Sequence, residues 1–339
     1  MKKNSVIKKM LSWLPGILIS ILASFFISKV VDINILVNSI SEIGFINILI
    51  IVVMTLISIA ARAVAWMKLL PKVKFIDSFL LINESYLFNN LVPRSGELVK
   101  TILFSKPASE HAFTIFSSVI VERSLDLVIA ASMFLVTFPF VSQLNNIRPI
   151  AFTLLVLFLL FLLSVLLIAL NAAKVKTWLR NIGKRNTNFM EKILPKIEMI
   201  IDGFLIMTNW KQFISVLFWI IISWFLWTVI LFFGINTIQG DVKFWWAIFT
   251  EGVLALGIAL PSAPAGIGVF EGTMIAALSV FGISVEKSLG VAVVIHLVQI
   301  ILTTAIGLIA VMKQGESISD ILRKIRSTKQ EDTEINNQE

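Results

Sequence analysis

Three short stretches place charge, proline and glycine inside an otherwise apolar chain, and their residue types suit ion and head-group binding. The first is Asn89-Asn90-Leu91-Val92-Pro93-Arg94-Ser95-Gly96-Glu97-Leu98-Val99-Lys100. Arg94 and Lys100 stand beside Pro93 together with Glu97, and Ser95 and Gly96 can offer backbone N–H groups where a helix restarts. An arginine fork at a helix N-terminus suits an anion, phosphate above all. The plainer alternative pairs Arg94 with Glu97 to hold the turn. The second stretch is Glu122-Arg123-Ser124-Leu125-Asp126. Glu122 and Asp126 share a helix face at i,i+4, and Arg123 and Asp126 are spaced to pair at i,i+3. Such charges either contact substrate or form a buried network tying this helix to the first break through Arg94 or Lys100.

The third stretch runs from Pro261 through Pro264, Gly266 and Gly268 to Glu271 and Gly272, with Glu251 preceding it. The glycines suit a tight turn. Gly268, Gly272 and Ala276 form a small-residue stripe that ordinarily means close helix packing. Glu251 and Glu271, lacking an evident basic neighbour, need a cation, a proton or a basic partner at membrane depth. Breaks of this kind are tolerated within a bilayer only where protein or a water-filled cavity satisfies the freed backbone.

Other polar residues read more plainly. Arg62, near the end of a span, is placed to snorkel to the head groups. His296 reads as a hydrogen-bonded interior residue in preference to a ligand or proton relay. The chain has no cysteine, and His111 and His296 lie far apart, so no metal and no cofactor are expected. Trp13, Trp66, Trp210, Trp245 and Trp246 fall near span ends and read as interfacial anchors.

The elements that must position these residues are membrane helices. Hydrophobic residues make up 57% of 339 and charged residues 15%, with a mean hydropathy of +0.92; soluble domains carry about 25% charged residues. Six apolar runs, 11–31, 44–67, 112–141, 148–170, 212–233 and 289–312, are of a length to cross a ~30 Å core as helix. Two interrupted runs, 76–106 and 244–281, each read as two half-helices around a proline break. Residues 174–211 carry eight Lys/Arg and have Ile193, Ile197, Ile200 and Phe204 at helical spacing, the pattern of an amphipathic segment at a membrane surface. The expected fold is an all-α polytopic membrane protein of about six transmembrane helices and two re-entrant hairpins.

The net charge of +8 reads as membrane-flanking charge, and no nucleic acid is expected as a partner. Residues 1–10, 68–74, 174–211 and 313–339 together hold 20 of the 29 Lys/Arg, which by the positive-inside rule puts both termini in the cytoplasm. The hairpins then enter from opposite faces, and 44–141 and 212–312 form an inverted repeat of hydropathy, without evident residue-by-residue similarity. Opposed broken helices in corresponding positions point to a midplane site.

Arg94-Ser95-Gly96-Glu97, Glu122-Arg123-Ser124-Leu125-Asp126 and Pro264-Ala265-Gly266-Ile267-Gly268-Val269-Phe270-Glu271-Gly272, in this order, resemble the flippase-like transmembrane domain of the lysylphosphatidylglycerol synthase (multiple peptide resistance factor) family over about residues 10–313. The resemblance implies a module of the cytoplasmic membrane that translocates a phospholipid, aminoacylated or not, or a lipid-linked head group. Arg94 and Lys100 would hold phosphate. Glu97, Glu122, Arg123 and Asp126 would orient them or meet a cationic head group, with Glu251 and Glu271 acting from the opposite hairpin. The implied partners are membrane lipids (anionic, aminoacylated or polyprenyl-linked), a second copy in a homo-oligomer, and a separate lipid-modifying enzyme. Two departures stand out. Ala265 replaces a glycine of the usual Pro-Gly-Gly turn, and residues 313–339 are too few for the soluble aminoacyl-transferase domain, so no enzymatic activity is expected. The alternatives are a membrane-embedded lipid transferase with Glu97, Glu122 or Asp126 as base, and an ion-coupled solute transporter.

Overall fold

The computed structural model describes residues 33–93, 95–141, 148–183, 187–258 and 263–314. These residues form helices and their connections, with no strand among them: α1 (Ile33–Leu69), α2 (Phe75–Leu91), α3 (Gly96–Ala108), α4 (Ala112–Thr137), α5 (Arg148–Leu170), α6 (Ala172–Gly183), α7 (Thr187–Phe204), α8 (Trp210–Gln239), α9 (Phe244–Ile258), α10 (Val269–Ser279) and α11 (Val285–Gln314). The expected first span at 11–31, the polar tail at 313–339 beyond Gln314, and Trp13 lie outside the described residues.

Among the described residues, three helical stretches are long and apolar enough to cross a membrane, Ile40–Leu69, Trp210–Gln239 and Val285–Lys313, and a fourth arises if Leu155–Leu170 is joined to Ala172–Ile182 across an 86° bend. The chain is an all-α polytopic membrane protein. The expected span at 112–141 is present as α4, whose 26 residues reach ~39 Å at 1.5 Å per residue, but Glu122, Arg123 and Asp126 interrupt its apolar run. The sharp turn from α5 into α6 carries the chain from an apolar helix into the amphipathic pair α6 and α7. Large apolar side chains remain exposed along the long helices, among them Phe45, Leu160, Phe218, Phe225, Ile301 and Ile309. That is the surface expected of helices facing lipid tails.

Proline chemistry makes the first break. Val92, forced away from helical ψ by Pro93, is extended at φ −136°, ψ 116°. Phe88 O accepts the Val92 N–H at 2.8 Å and Val92 O the Ser95 N–H at 3.2 Å, and the Ser95 hydroxyl lies within hydrogen-bond reach of both carbonyls, at 2.8 Å and 2.9 Å. Gly96 N–H starts α3 by donating to Asn89 Oδ1 at 2.7 Å. A Cβ at Gly96 would sit 2.6 Å from Ser85 O, so glycine is what lets the two arms cross.

Helix packing is organised as two corresponding halves, α1–α4 and α8–α11. The most extensive pair is α1 against α8, where Ser58 Oγ and Ser223 Oγ lie 3.4 Å apart. In each half the second hairpin arm packs on the following helix, α3 on α4 and α10 on α11. The first arm packs on the closing helix of the other half, α2 on α11 and α9 on α4. Glycines permit both crossings: a Cβ at Gly307 would meet Asn83 O at 2.8 Å, and one at Gly252 would meet Phe134 N at 3.1 Å. Close approach therefore falls at these positions. The correspondence has exceptions: α1 packs broadly on α11 while α8 barely touches α4, and α8 packs on α11 more than α1 does on α4.

Candidate functional site

A cavity of about 600 Å³ lies between the two breaks. Asn89, Asn90 and Pro93 line it from the first hairpin with Glu97, and Ala263, Ala265 and Gly266 from the second with Glu251. Arg62 of α1, Arg123 and Asp126 of α4, Trp224 of α8 and His296 of α11 complete its polar wall. Leu231, Leu254, Ile258 and Ile300 supply apolar surface.

The charges on one side of this cavity form a chain of pairs. Arg62 Nη1 donates to Asp126 Oδ1 at 2.8 Å and lies 3.5 Å from Glu122 Oε1. Trp224 Nε1 donates to the same Asp126 oxygen at 2.8 Å. Arg123 donates to Glu97 Oε1 at 2.8 Å and reaches Asp126 Oδ2 at 3.4 Å. Lys100 Nζ pairs with Glu122 Oε2 at 3.0 Å and lies 4.7 Å over the Trp66 ring.

Several sequence-based expectations are changed by this arrangement. Arg62 does not snorkel: its side chain is 13% exposed and turned inward, because two carboxylates within the protein offer it a better partner than the head-group region. Trp66 is no interfacial anchor but fully buried, 4.6 Å from the Phe104 ring. Trp210 is exposed as an anchor should be, whereas Trp246 stacks on Phe281 at 4.7 Å. Lys100 and Glu122, each 2% exposed, satisfy one another beneath the cavity and do not line it. Glu97 pairs with Arg123, and Arg94 lies outside the described residues, so the suggested Arg94–Glu97 pair does too; Pro261 also lies outside them.

The second break is built differently. Ala265 sits in the left-handed region at φ 60°, followed by Gly266 at φ 78° and Gly268 at φ 83°. Glu271 accepts from Gly268 N at 2.7 Å and so caps α10. Its other oxygen lies 2.7 Å from His296 Nδ1, while His296 Nε2 lies 2.9 Å from Ala265 O. A carbonyl oxygen accepts only, so Nε2 carries hydrogen and one further proton is shared between Nδ1 and the Glu271 carboxyl. The pair is net neutral whichever atom holds that proton. His296 is thus the interior, hydrogen-bonded residue expected from sequence, and Glu271 has its basic partner.

Glu251 is the remaining carboxyl. It is 4% exposed, its Oε2 bonds the Thr228 hydroxyl, and its Oε1 has no hydrogen-bond partner.

Sequence reasoning missed the roles of Arg62, Trp224, Thr228 and Asn90. Asn90 Nδ2 donates to Thr303 and Thr304 Oγ1 at 3.1 Å and fastens the first hairpin to α11. An indole or amide within an apolar run was the available signal, since such groups need partners when buried. Among the described residues no group of three or more Asp, Glu or His side chains is arranged to hold a metal ion.

Residues 13–307 match a family model described as the lysylphosphatidylglycerol synthase TM region. No curated protein matches the chain, and no solved structure does.

Proposed function

The chain belongs to the lysylphosphatidylglycerol synthase transmembrane-region family, and from that premise we propose that it translocates a phospholipid, or a lipid-linked head group, across the cytoplasmic membrane. The observation that carries this reading is the cavity itself: about 600 Å³, in the range of small-molecule sites, and bounded by both broken hairpins. Arg123 is the cation placed for a head-group phosphate. Its side chain is 45% exposed, against 3% for Lys100, and it lines the cavity at the N-terminal end of the α3 arm. Glu97 and Asp126 each take one of its terminal nitrogens, which leaves further N–H donors of the five for a phosphate.

In this reading the two hairpins are re-entrant, enter from opposite faces and exchange access to the cavity by moving against the α1–α8 pair. The corresponding packing of the halves supports that motion, because each hairpin rests on the closing helix of the other half. Translocation is favoured over a membrane-embedded transferase because Glu97, Glu122 and Asp126, the candidate bases, are each held in an ion pair.

The test is movement of fluorescent phosphatidylglycerol in phosphatidylethanolamine–phosphatidylglycerol proteoliposomes, read by dithionite quenching, with aminoacylated and polyprenyl-phosphate lipids as further probes. Protein-dependent movement, slowed at least about tenfold in Arg123→Ala by loss of a charge-assisted contact, is expected. No movement of any probe above that in empty liposomes, with Arg123→Ala indistinguishable from the parent, overturns the reading.

A further inference from the structure

Glu251 stands apart from every other charged side chain of the cavity. Arg62, Arg123, Glu97 and Asp126 all lie in ion pairs, and Glu271 has His296. Glu251 has no cation within 4 Å among the described residues, although it sits in the same cavity wall. Thr228 of α8 bonds it, and the charged and titratable groups that line the same cavity are Asp126 and Arg123 of α4, Arg62 of α1, Tyr86, Glu97 and His296.

The partners of this carboxyl are few: Thr228 Oγ1 bonds Oε2 and also lies 3.2 Å from the Trp224 carbonyl of its own helix, while Oε1 has no hydrogen-bond partner. One neutral hydroxyl does not compensate a carboxylate buried this deeply, and the cost falls when the carboxyl binds a proton. Oε1 becomes the carbonyl oxygen of a neutral acid, and leaving such an oxygen without a partner costs far less than leaving half of a buried anionic charge unpaired.

We infer that Glu251 is a proton-binding site of the cavity and that, given the translocation proposed above, protons move with the lipid. Binding forms an O–H bond at the Glu251 carboxylate with a proton from the aqueous phase to which the cavity is open. Release returns that proton to whichever phase the cavity faces next and leaves a carboxylate. The carboxylate then competes with Asp126 for Arg62, which lines the same cavity. That competition links the protonation of α9 to the Arg62–Asp126 bond between α1 and α4. The position has a counterpart: Glu84, 0% exposed, stands seven residues before the end of α2, as Glu251 stands seven before the end of α9.

The experiment uses the full chain in phosphatidylglycerol nanodiscs and records the infrared C=O stretch of protonated carboxylic acids at neutral pH. The parent minus Glu251→Gln difference should show a lost carboxylic-acid band, and Thr228→Val, which keeps the acid but removes its partner, should shift that band to higher frequency. A Glu251→Gln protein with an unchanged carboxylic-acid band overturns the proton site, whatever the transport assay shows. In proteoliposomes of the composition given above, an imposed pH gradient should change the rate of fluorescent phosphatidylglycerol movement in the parent but not in Glu251→Gln. Equal gradient dependence in both proteins overturns the coupling. If the band is lost but no lipid moves in the parent, the proton site stands and the lipid reading fails.

Discussion

Glu97 and Arg123 meet at 2.8 Å from positions 26 residues apart, and the second half of the chain repeats the relationship with Glu271 and His296, 25 residues apart at 2.7 Å. In both cases the carboxylate sits in the first turn of the second hairpin arm and its partner is the twelfth residue of the next helix. The likeness of the halves therefore extends from hydropathy to placed chemistry. One member differs in kind: the first half places a guanidinium where the second places an imidazole.

Removing Arg62 should be costly. Arg62→Met leaves Asp126 to Trp224 and a longer Arg123 contact, and Glu122 to Lys100. Losing one partner of a buried pair costs about 3–5 kcal/mol when the other is stranded, and the remaining contacts place this variant near 3 kcal/mol. Thermal unfolding in detergent measures it. Arg62→Met/Asp126→Asn should recover part of the loss, whereas a snorkelling arginine would give no loss at all.

The α1–α8 contact can be trapped, because the chain contains no cysteine. With Ser58 and Ser223 Oγ atoms 3.4 Å apart, Ser58→Cys/Ser223→Cys should form a disulfide under mild oxidation. A mobility shift on non-reducing gels, absent from each single variant, reports it. Failure to cross-link would contradict the pairing at the centre of the fold.

Gly307 is where α11 meets α2. A Cβ there would stand 2.8 Å from the Asn83 carbonyl and 2.7 Å from Leu87 Cβ, so Gly307→Ala should cost about 1–3 kcal/mol of overpacking. The same change at Gly282, with nothing within 4 Å but φ +73°, should act through backbone strain alone. Comparing the melting temperatures of the two variants against the parent separates the mechanisms.

Ala265 occupies a left-handed conformation at φ 60° that costs an L-residue about 1–2 kcal/mol. Ala265→Gly should relieve that strain. The greater freedom glycine gives the unfolded chain offsets part of the gain, leaving a net stabilisation of about 1 kcal/mol or less, read as a raised melting temperature. A lowered melting temperature would show that the methyl group is packed to advantage.

Outside the spans, Arg180 of α6 grips Glu198 of α7 with bonds of 2.6 and 2.7 Å. That hydrogen-bonded pair holds the Glu198 carboxyl below the usual carboxylate range. A depressed native pKa contributes stability above the unfolded value, near 4.5, and loses it as pH falls through the native value. Docking of α6 on α7 should therefore loosen on acidification below about pH 4.5 in the parent and show a smaller change in Glu198→Gln. Fluorescence of exposed Trp178 on α6 follows it, and the effect is small because Arg180 is solvent-facing.

The order and type of the elements were legible in the amino-acid sequence. Apolar length marked α4, α5, α8 and α11, basic amphipathic spacing marked α6 and α7, and Pro93, Pro264, Gly266 and Gly268 marked where hairpins break, because these signals act within a few residues of backbone. Partner choice among charges was not legible. Glu97 lies three residues from both Arg94 and Lys100 in sequence, yet it bonds Arg123, and Arg62 reads as interfacial until α4 is folded beside it. Glu251 shows the limit most clearly. Its sequence declares a carboxyl at membrane depth that must find a cation, a proton or a base. The packing of α9 against α8 and α4 brings Thr228 to one oxygen and no cation to the other, because ion pairing depends on distances of a few ångströms between side chains far apart in the chain, as Arg62 and Asp126 are at 64 residues.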